Sequence, residues 1–270
     1  KKKCMESSKI IEKLKNDKDY YGKFGSKFLS NSDVKSLRND IKSFRKPMRL
    51  NEALESGRYF HQLLLEEEKS KNFPMVEAKT RNSKEYKEYL EENKVEFVLK
   101  TNEAMAIKDI ADWVMSDKTE CTQFIRDLLN NPEALREQPT ICELHGHNWK
   151  GKADLITTDE TGQYVIIDFK TTSGNPSDFN KWTLDSFGYN SQAYLYKEMY
   201  GMNFKFIFIG KKPKEDSKGK VYYDVCEITP SQDTLDMGRT RVMEALEQYE
   251  KYYGEGATED VRASYTKKVI

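Results

Sequence analysis

The stretch Tyr164-Val165-Ile166-Ile167-Asp168-Phe169-Lys170-Thr171-Thr172-Ser173 closes an apolar run with an acid and a base. Side chains alternate across a strand, so Asp168 and Lys170 point together, with Val165, Ile167 and Phe169 on the opposite face. One strand earlier, WKGKADLI sets Lys150, Lys152 and Asp154 on one face and Trp149, Gly151, Ala153 and Leu155 on the other. Pairing of the two strands through the short connection from Ile156 to Tyr164 brings two carboxylates and an ammonium to one end of a hairpin. Carboxylate oxygens are the ligands that Mg²⁺ and Mn²⁺ prefer, with positions left for water and a substrate phosphate. A cation held there polarises a phosphoryl oxygen and activates water, while a lysine positions the water or stabilises the transition state. An isolated D-x-K at a strand end is most often a solvated terminus, so other parts of the chain must support the reading.

The elements that must hold these groups follow from periodicity. From Leu29, LSNSDVKSLRNDIKSF carries a Ser/Asn/Asp start signal and Val34, Leu37, Ile41 and Phe44 at helical spacing, ended by the proline of RKPMR. NEALESGRYFHQLLLEEE repeats Ala53, Leu54, Gly57, Phe60, His61, Leu64 and Leu65 along one helical face. Residues 83–135 read as mostly helical, with one stripe from Met105 through Ile107, Ile110, Ala111 and Val114 and another of Phe124, Ile125, Leu128 and Leu129. After NPEALREQP come the short strand-like runs TICELHG, NWKGKADLI and YVIIDFK, the last two forming a hairpin around TTDETGQ. DSFGYNSQAYLYKEMYG reads as a helix closed by Gly201, FKFIFIG and KVYYDVCEIT as strands around KKPKEDSKG, and SQDTLDMGRTRVMEALEQYEKYY as a last helix. This order predicts an α/β fold, a central mixed sheet flanked by helices with a helical N-terminal region.

Composition narrows the class. A chain of 270 residues with 37% hydrophobic residues has the material for a core, and 33% charged residues with a mean hydropathy of -0.84 leave no run approaching the roughly 20 apolar residues of a membrane span. KKKCMESSKI has no apolar segment behind its lysines, so no secretory signal is expected, and without an initiator Met the chain reads as trimmed. Cys4, Cys121, Cys142 and Cys226 form no CxxC pair, which suits reduced thiols and a cytoplasmic location. The first 50 residues hold 15 Lys and Arg against 6 Asp and Glu, so with a net charge of zero the remainder carries -9. A polyanion-binding N-terminal surface and a set of solvated lysines explain this equally well. No GxxxxGK[ST] loop is present, which excludes an ATP-driven motor within the chain, and His145 and His147 with Cys142 lack the second ligand pair of a zinc site.

Four segments, Gly57-Arg58-Tyr59-Phe60-His61, Gly151-Lys152-Ala153-Asp154, Asp168-Phe169-Lys170-Thr171-Thr172 and Gln192-Ala193-Tyr194-Leu195-Tyr196, fall in an order and spacing that resemble the RecB-like branch of the PD-(D/E)xK nucleases. Within it, GRYFHQLLLEEE, DFKTT and YNSQAYLY look most like RecE-type phage exonucleases, over about Leu29 to Tyr200. The resemblance implies one nuclease domain over residues 1–270, with residues 1–135 a helical wall and 136–270 the catalytic core. It implies that Asp154, Asp168 and the Phe169 carbonyl bind Mg²⁺, or Mn²⁺ in its place, with His61 beside the metal and Lys170 the catalytic lysine. Glu143 matches a glutamate of several relatives and is a further candidate ligand. Gln192, Tyr196, Lys152 and Thr171 are implied to hold DNA or the active-site groups; independently, Gln192 and Tyr196 share a helical face at i and i+4. The sequence departs from the pattern in having Ala153 where a proline precedes the first acid, and Asp168 where many relatives have glutamate. Only Cys226 follows Tyr196, so no iron–sulfur cluster is expected. The implied activity is 5′ to 3′ digestion of linear duplex DNA, with a strand-annealing protein as partner and ring oligomers known among such enzymes. A RecB-like enzyme acting on single strands or flaps, and a non-catalytic DNA-binding protein on the same fold, are the alternatives.

Overall fold

The computed structural model describes residues 2–47 and 49–265, with side chains described from residue 7 onward. A five-stranded sheet runs in the order β1 (Leu135–Leu144), β2 (His147–Thr158), β3 (Tyr164–Thr172), β4 (Asn203–Gly210), β5 (Val225–Ile228). All neighbours are antiparallel except β3 and β4, so the sheet is mixed. A parallel pair requires a crossover, supplied here by the helices between Thr172 and Asn203.

β3 and β4 read as near-continuous apolar runs because both of their faces are covered. One face packs against α4 (Glu52–Leu65), α6 (Thr101–Ser116) and α7 (Glu120–Asn130): Phe60, Ile110, Val114 and Ile125 meet Leu155, Ile167, Phe169 and Ile207. The other face takes α9 (Tyr189–Tyr200) and α10 (Gln232–Tyr252), with Ala193 and Leu235 against Ala153, Ile166, Phe204, Phe206 and Phe208. Three further helices, α1 (Lys2–Leu14), α2 (Asp17–Tyr21) and α3 (Asn31–Asn39), precede α4, and α5 (Lys84–Asn93) and α8 (Lys181–Phe187) complete the set used below.

Several expected elements are altered for local reasons. The helix expected through Phe44 stops at Asn39, because the Asp40 carboxylate accepts the Lys42 N–H and starts a 3₁₀ turn over Ile41–Ser43. The buried face of α4 is rotated from the expected one: Ser56, Tyr59 and Phe60 are buried, whereas Ala53 and Leu54 are exposed. Met105 likewise lies outside the buried stripe of α6. β1 begins at Leu135, earlier than expected; Pro139 is tolerated inside it because β1 is the sheet's edge. The helix expected from Asp185 is two helices, separated at Gly188 with φ 74, a conformation that only glycine adopts readily, while Gly201 caps α9 as expected. Cys121, Cys142 and Cys226 are free thiols, and the Cys4 side chain lies outside the described residues.

Candidate active site

β2 and β3 pair only from Leu155–Ile167 to Thr158–Tyr164, and beyond Leu155 they separate into a fork. Leu29 takes up part of the freed edge: its N–H reaches Asn148 O, and its carbonyl accepts the Lys150 N–H. Helix α9 takes up the next part, since the Tyr196 hydroxyl donates to the Lys152 carbonyl at 3.1 Å and accepts its N–H at 3.3 Å. One turn on, the Tyr200 hydroxyl donates to Gln138 O and accepts from the Ala153 N–H. Gly151 permits this close approach, because a Cβ there would come 2.5 Å from Met199 Cε and 3.4 Å from the Tyr196 ring.

At the fork the strand alternation breaks. Ala153 and Ile156 both face α9, while Leu155 joins the α4 side with Ile167 and Phe169, contrary to the expected common face of Ala153 and Leu155. Opposite this break Glu137 has φ 50, and the Glu137–Asp154 pair is missing from an otherwise continuous β1–β2 register. Both carboxylates turn toward α4. The ligand atoms of His61, Glu137 and Asp154 lie within 4.8 Å of one another. His61 Nε2 stands 2.7 Å from the Phe169 carbonyl and 3.4 Å from Asp154 Oδ2, and Asp154 Oδ2 also accepts the Phe169 N–H at 3.1 Å.

Asp168 and Lys170 sit on the α9 side of the same fork. Gln192 Nε2 donates to Asp168 Oδ1 at 2.5 Å, and Lys170 Nζ lies 2.5 Å from Asp168 Oδ2. The Lys170 ammonium is thus the charge partner of the buried Oδ2. The donor set fits a cation: neighbouring ligands of one octahedral Mg²⁺ at about 2.1 Å sit about 3 Å apart, close to the His61–Phe169 and His61–Asp154 separations. Two or three carboxylates, a carbonyl and one imidazole suit Mg²⁺ or Mn²⁺.

Burial pushes the Asp154 carboxyl up to about 7; the nearby Asp168 and Glu137 charges add to this, and His61 and Lys170 oppose it. For Lys170, burial works against the ammonium, but attraction to Asp168 and Asp154 outweighs it and pushes the pKa up to about 12. Lys170 is therefore a held cation at neutral pH.

Residues 27–261 match the family described as a PDDEXK-like domain of unknown function (DUF3799). The chain belongs to this PDDEXK-like family. No curated protein sequence matches it. Among solved structures, a protein from Eubacterium rectale named "Putative exonuclease" is similar over 94% of this chain and 95% of its own, with a TM-score of 0.55 and 15% identity. A phage related exonuclease from Haemophilus somnus 129PT is similar over 71% of this chain and 92% of its own, with a TM-score of 0.30 and 14% identity. The first of these likenesses shows a shared fold.

Within this PDDEXK-like fold, the residues read from the sequence separate into groups. His61, Asp154, Asp168, the Phe169 carbonyl, Lys170 and Gln192 meet at the fork. Glu143 does not: the two-residue turn at His145-Gly146 sets Leu144 opposite His147, which leaves Glu143 opposite Asn148 and Glu137 abreast of Asp154. Glu137 escapes the sequence reading because register has to be counted from that turn; the His-Gly pair is the available signal. Lys152 is no free phosphate contact, since its ammonium pairs with Glu137 at 2.8 Å and Asp17 at 2.9 Å. Burial works against that ammonium, but Tyr21, Glu137 and Asp17 outweigh it and hold its pKa up. Thr171 stands on the Phe169 face of β3, away from Lys170. Tyr196 holds the β2 backbone through its hydroxyl, so it is not poised to contact DNA through that group. Tyr196→Phe is expected to leave the Lys152 N–H and carbonyl without this partner and to cost about 1–3 kcal/mol in urea unfolding. Calorimetric titration with Mn²⁺ is expected to show Glu137→Gln weakening binding by about tenfold, as for removal of one ligand or of a group that orients a ligand. Glu143→Gln is expected to bind as wild type.

Proposed function

We propose that this chain is a metal-dependent deoxyribonuclease that hydrolyses phosphodiester bonds at the β2–β3 fork. The observation that carries the reading is the cluster of His61, Glu137 and Asp154, whose ligand atoms lie within 4.8 Å of one another, with the Phe169 carbonyl 2.7 Å from His61 Nε2 and the buried Asp168 on the same fork. Those five residues would hold the cation, with Mg²⁺ first and Mn²⁺ as substitute. A divalent ion supplies Lewis-acid polarisation of a phosphoryl oxygen and a lowered pKa for its water.

The chain's own residues do the rest. Lys170 keeps its proton at neutral pH, so it orients the attacking water and offsets charge growing on the phosphoryl oxygens. Gln192 fixes the Asp168 carboxylate from α9, so one oxygen stays turned toward the fork. His61 faces the Phe169 carbonyl and Asp154, and metal binding requires its Nε2 lone pair.

Exonucleolytic action is supported by the resemblance to RecE-type phage exonucleases and by the name of the Eubacterium rectale protein that shares the fold; its direction, 5′ to 3′ on linear duplex DNA to leave a 3′ single strand, rests on the resemblance alone. A bacterial cytoplasm, a strand-annealing partner, recombination and a homo-oligomer belong to the same reading. Among the described residues no helix is long and apolar enough to cross a membrane. Rates on blunt duplex, 5′-tailed duplex and single strands, each labelled at one end, test the mode. The expected result is release from the 5′ end of duplex; a clear preference for single strands would move the assignment to a RecB-like enzyme of flaps and tails.

A further inference from the structure

We propose that Phe187 is the stacking platform for a nucleobase of the strand being cut, an inference that rests on the deoxyribonuclease reading of the fork. Lys170 Nζ lies 5.5 Å from the centroid of the Tyr189 ring. Tyr189 in turn stacks with Phe187 at 5.5 Å and 24° between planes, and Phe187 stacks with Phe179 at 6.2 Å and 19°. Near-parallel rings thus connect the candidate catalytic lysine to Phe187, the middle ring of the three. The two outer rings are anchored, since Tyr189 packs on Phe206 and Phe208 and Phe179 packs on Phe208, and Phe206 and Phe208 are fully buried. Phe187 is 48% exposed, although aromatic rings of this size are normally drawn into the core.

The ring is held as well as exposed. It is the last residue of α8, and Gly188 in the left-handed region turns the chain directly into α9, whose first residue is Tyr189 and whose fourth is Gln192. The same short helix carries Trp182, 64% exposed, with Lys181 Nζ 5.5 Å over its ring. Exposed aromatics interleaved with lysines are the chemistry of single-strand recognition, where bases stack and cations meet phosphates. Two contacts of 5.5 Å each keep the Phe187 ring within one or two nucleotides of a phosphate at Lys170. In DNA the flat π-faced group at that distance from a phosphate is a base.

The test uses the full chain with Ca²⁺, to slow hydrolysis, and two fluorescent probes: a ten-residue thymidylate strand and an abasic strand of the same length. The wild type is expected to bind the thymidylate more tightly. Phe187→Ala is expected to lose about 5- to 100-fold on thymidylate and nothing on the abasic strand, as for one stacked base. Phe187→Leu, which keeps apolar packing on Tyr189 and Phe179, is expected to lose as much, and Phe187→Trp to retain binding. Equal losses on both probes, or no loss on either, would overturn the platform while leaving the nuclease reading in place. A wild-type protein that binds neither probe would likewise overturn the platform, while the nuclease reading stands or falls separately on release of nucleotides from duplex DNA.

Discussion

Asp154→Asn is expected to lower metal-dependent hydrolysis by about 10³-fold, as for loss of a preorganised charge at the reacting phosphate. In the metal-free protein the same change is expected to raise Tm at pH 8. Burial, with the Asp168 and Glu137 charges, lifts the Asp154 carboxyl to about 7 in the folded state, against 3.8 in the absence of these influences. Between those values the folded chain binds more protons than the unfolded one, so this group's contribution to stability falls as pH rises from about 4 to about 7 and stays low above that. Asparagine removes the buried charge, and its side-chain oxygen still accepts the Phe169 N–H. A cation competes with the proton for Asp154, so the Tm rise given by Mn²⁺ is expected to grow from pH 5.5 to pH 8 in the wild type and to be largely absent in Asp154→Asn. Thermal scans with and without Mn²⁺ across that range read both effects. A destabilised metal-free Asp154→Asn would show that the carboxylate is held by the protein alone.

Lys170→Ala is expected to have the opposite effect on stability. It removes the cation at 2.5 Å from the Asp168 carboxylate, whose side chain is 3% exposed, and leaves a buried charge with the neutral Gln192 amide as its hydrogen-bond donor. Breaking such a pair costs about 3–5 kcal/mol, whereas neutralising both partners often costs little. Hydrolysis is expected to fall by about 10²- to 10³-fold, the size expected when one interaction with the transition state is removed. The double variant Asp168→Asn, Lys170→Met is expected to recover most of the stability in urea unfolding and none of the activity. Recovery of activity by the double variant would mean that the pair serves packing alone.

What is legible in the sequence follows the reach of each physical rule. Strand alternation puts Asp168 and Lys170 together, and i, i+4 spacing puts Gln192 and Tyr196 on one face. Both hold, because each depends on a few consecutive residues of regular structure. Alternation fails at Asp154–Leu155, where the strand changes face, and it fails there because the fork breaks the ladder that enforces the pleat. Register has to be counted from a turn eight residues away, so the resemblance points to Glu143 whereas the structure sets Glu137 abreast of Asp154. The partners of Lys152 come from α2 and β1, at distances in sequence that no local pattern reports. Tyr196 reads as a DNA contact because its motif is shared with nucleases. Its hydroxyl holds the β2 backbone, a role visible only once the freed edge of that strand is seen.

The central claim is that the fork holds a cation and hydrolyses DNA. Its most direct measurement is release of acid-soluble nucleotides from linear duplex DNA by the wild-type chain and by Asp154→Asn, each with Mg²⁺, with Mn²⁺ and with chelator. The expected result is release by the wild type with either ion, none with chelator, and about 10³-fold less from Asp154→Asn. Release that survives chelation, or an Asp154→Asn protein as active as the wild type, would contradict it.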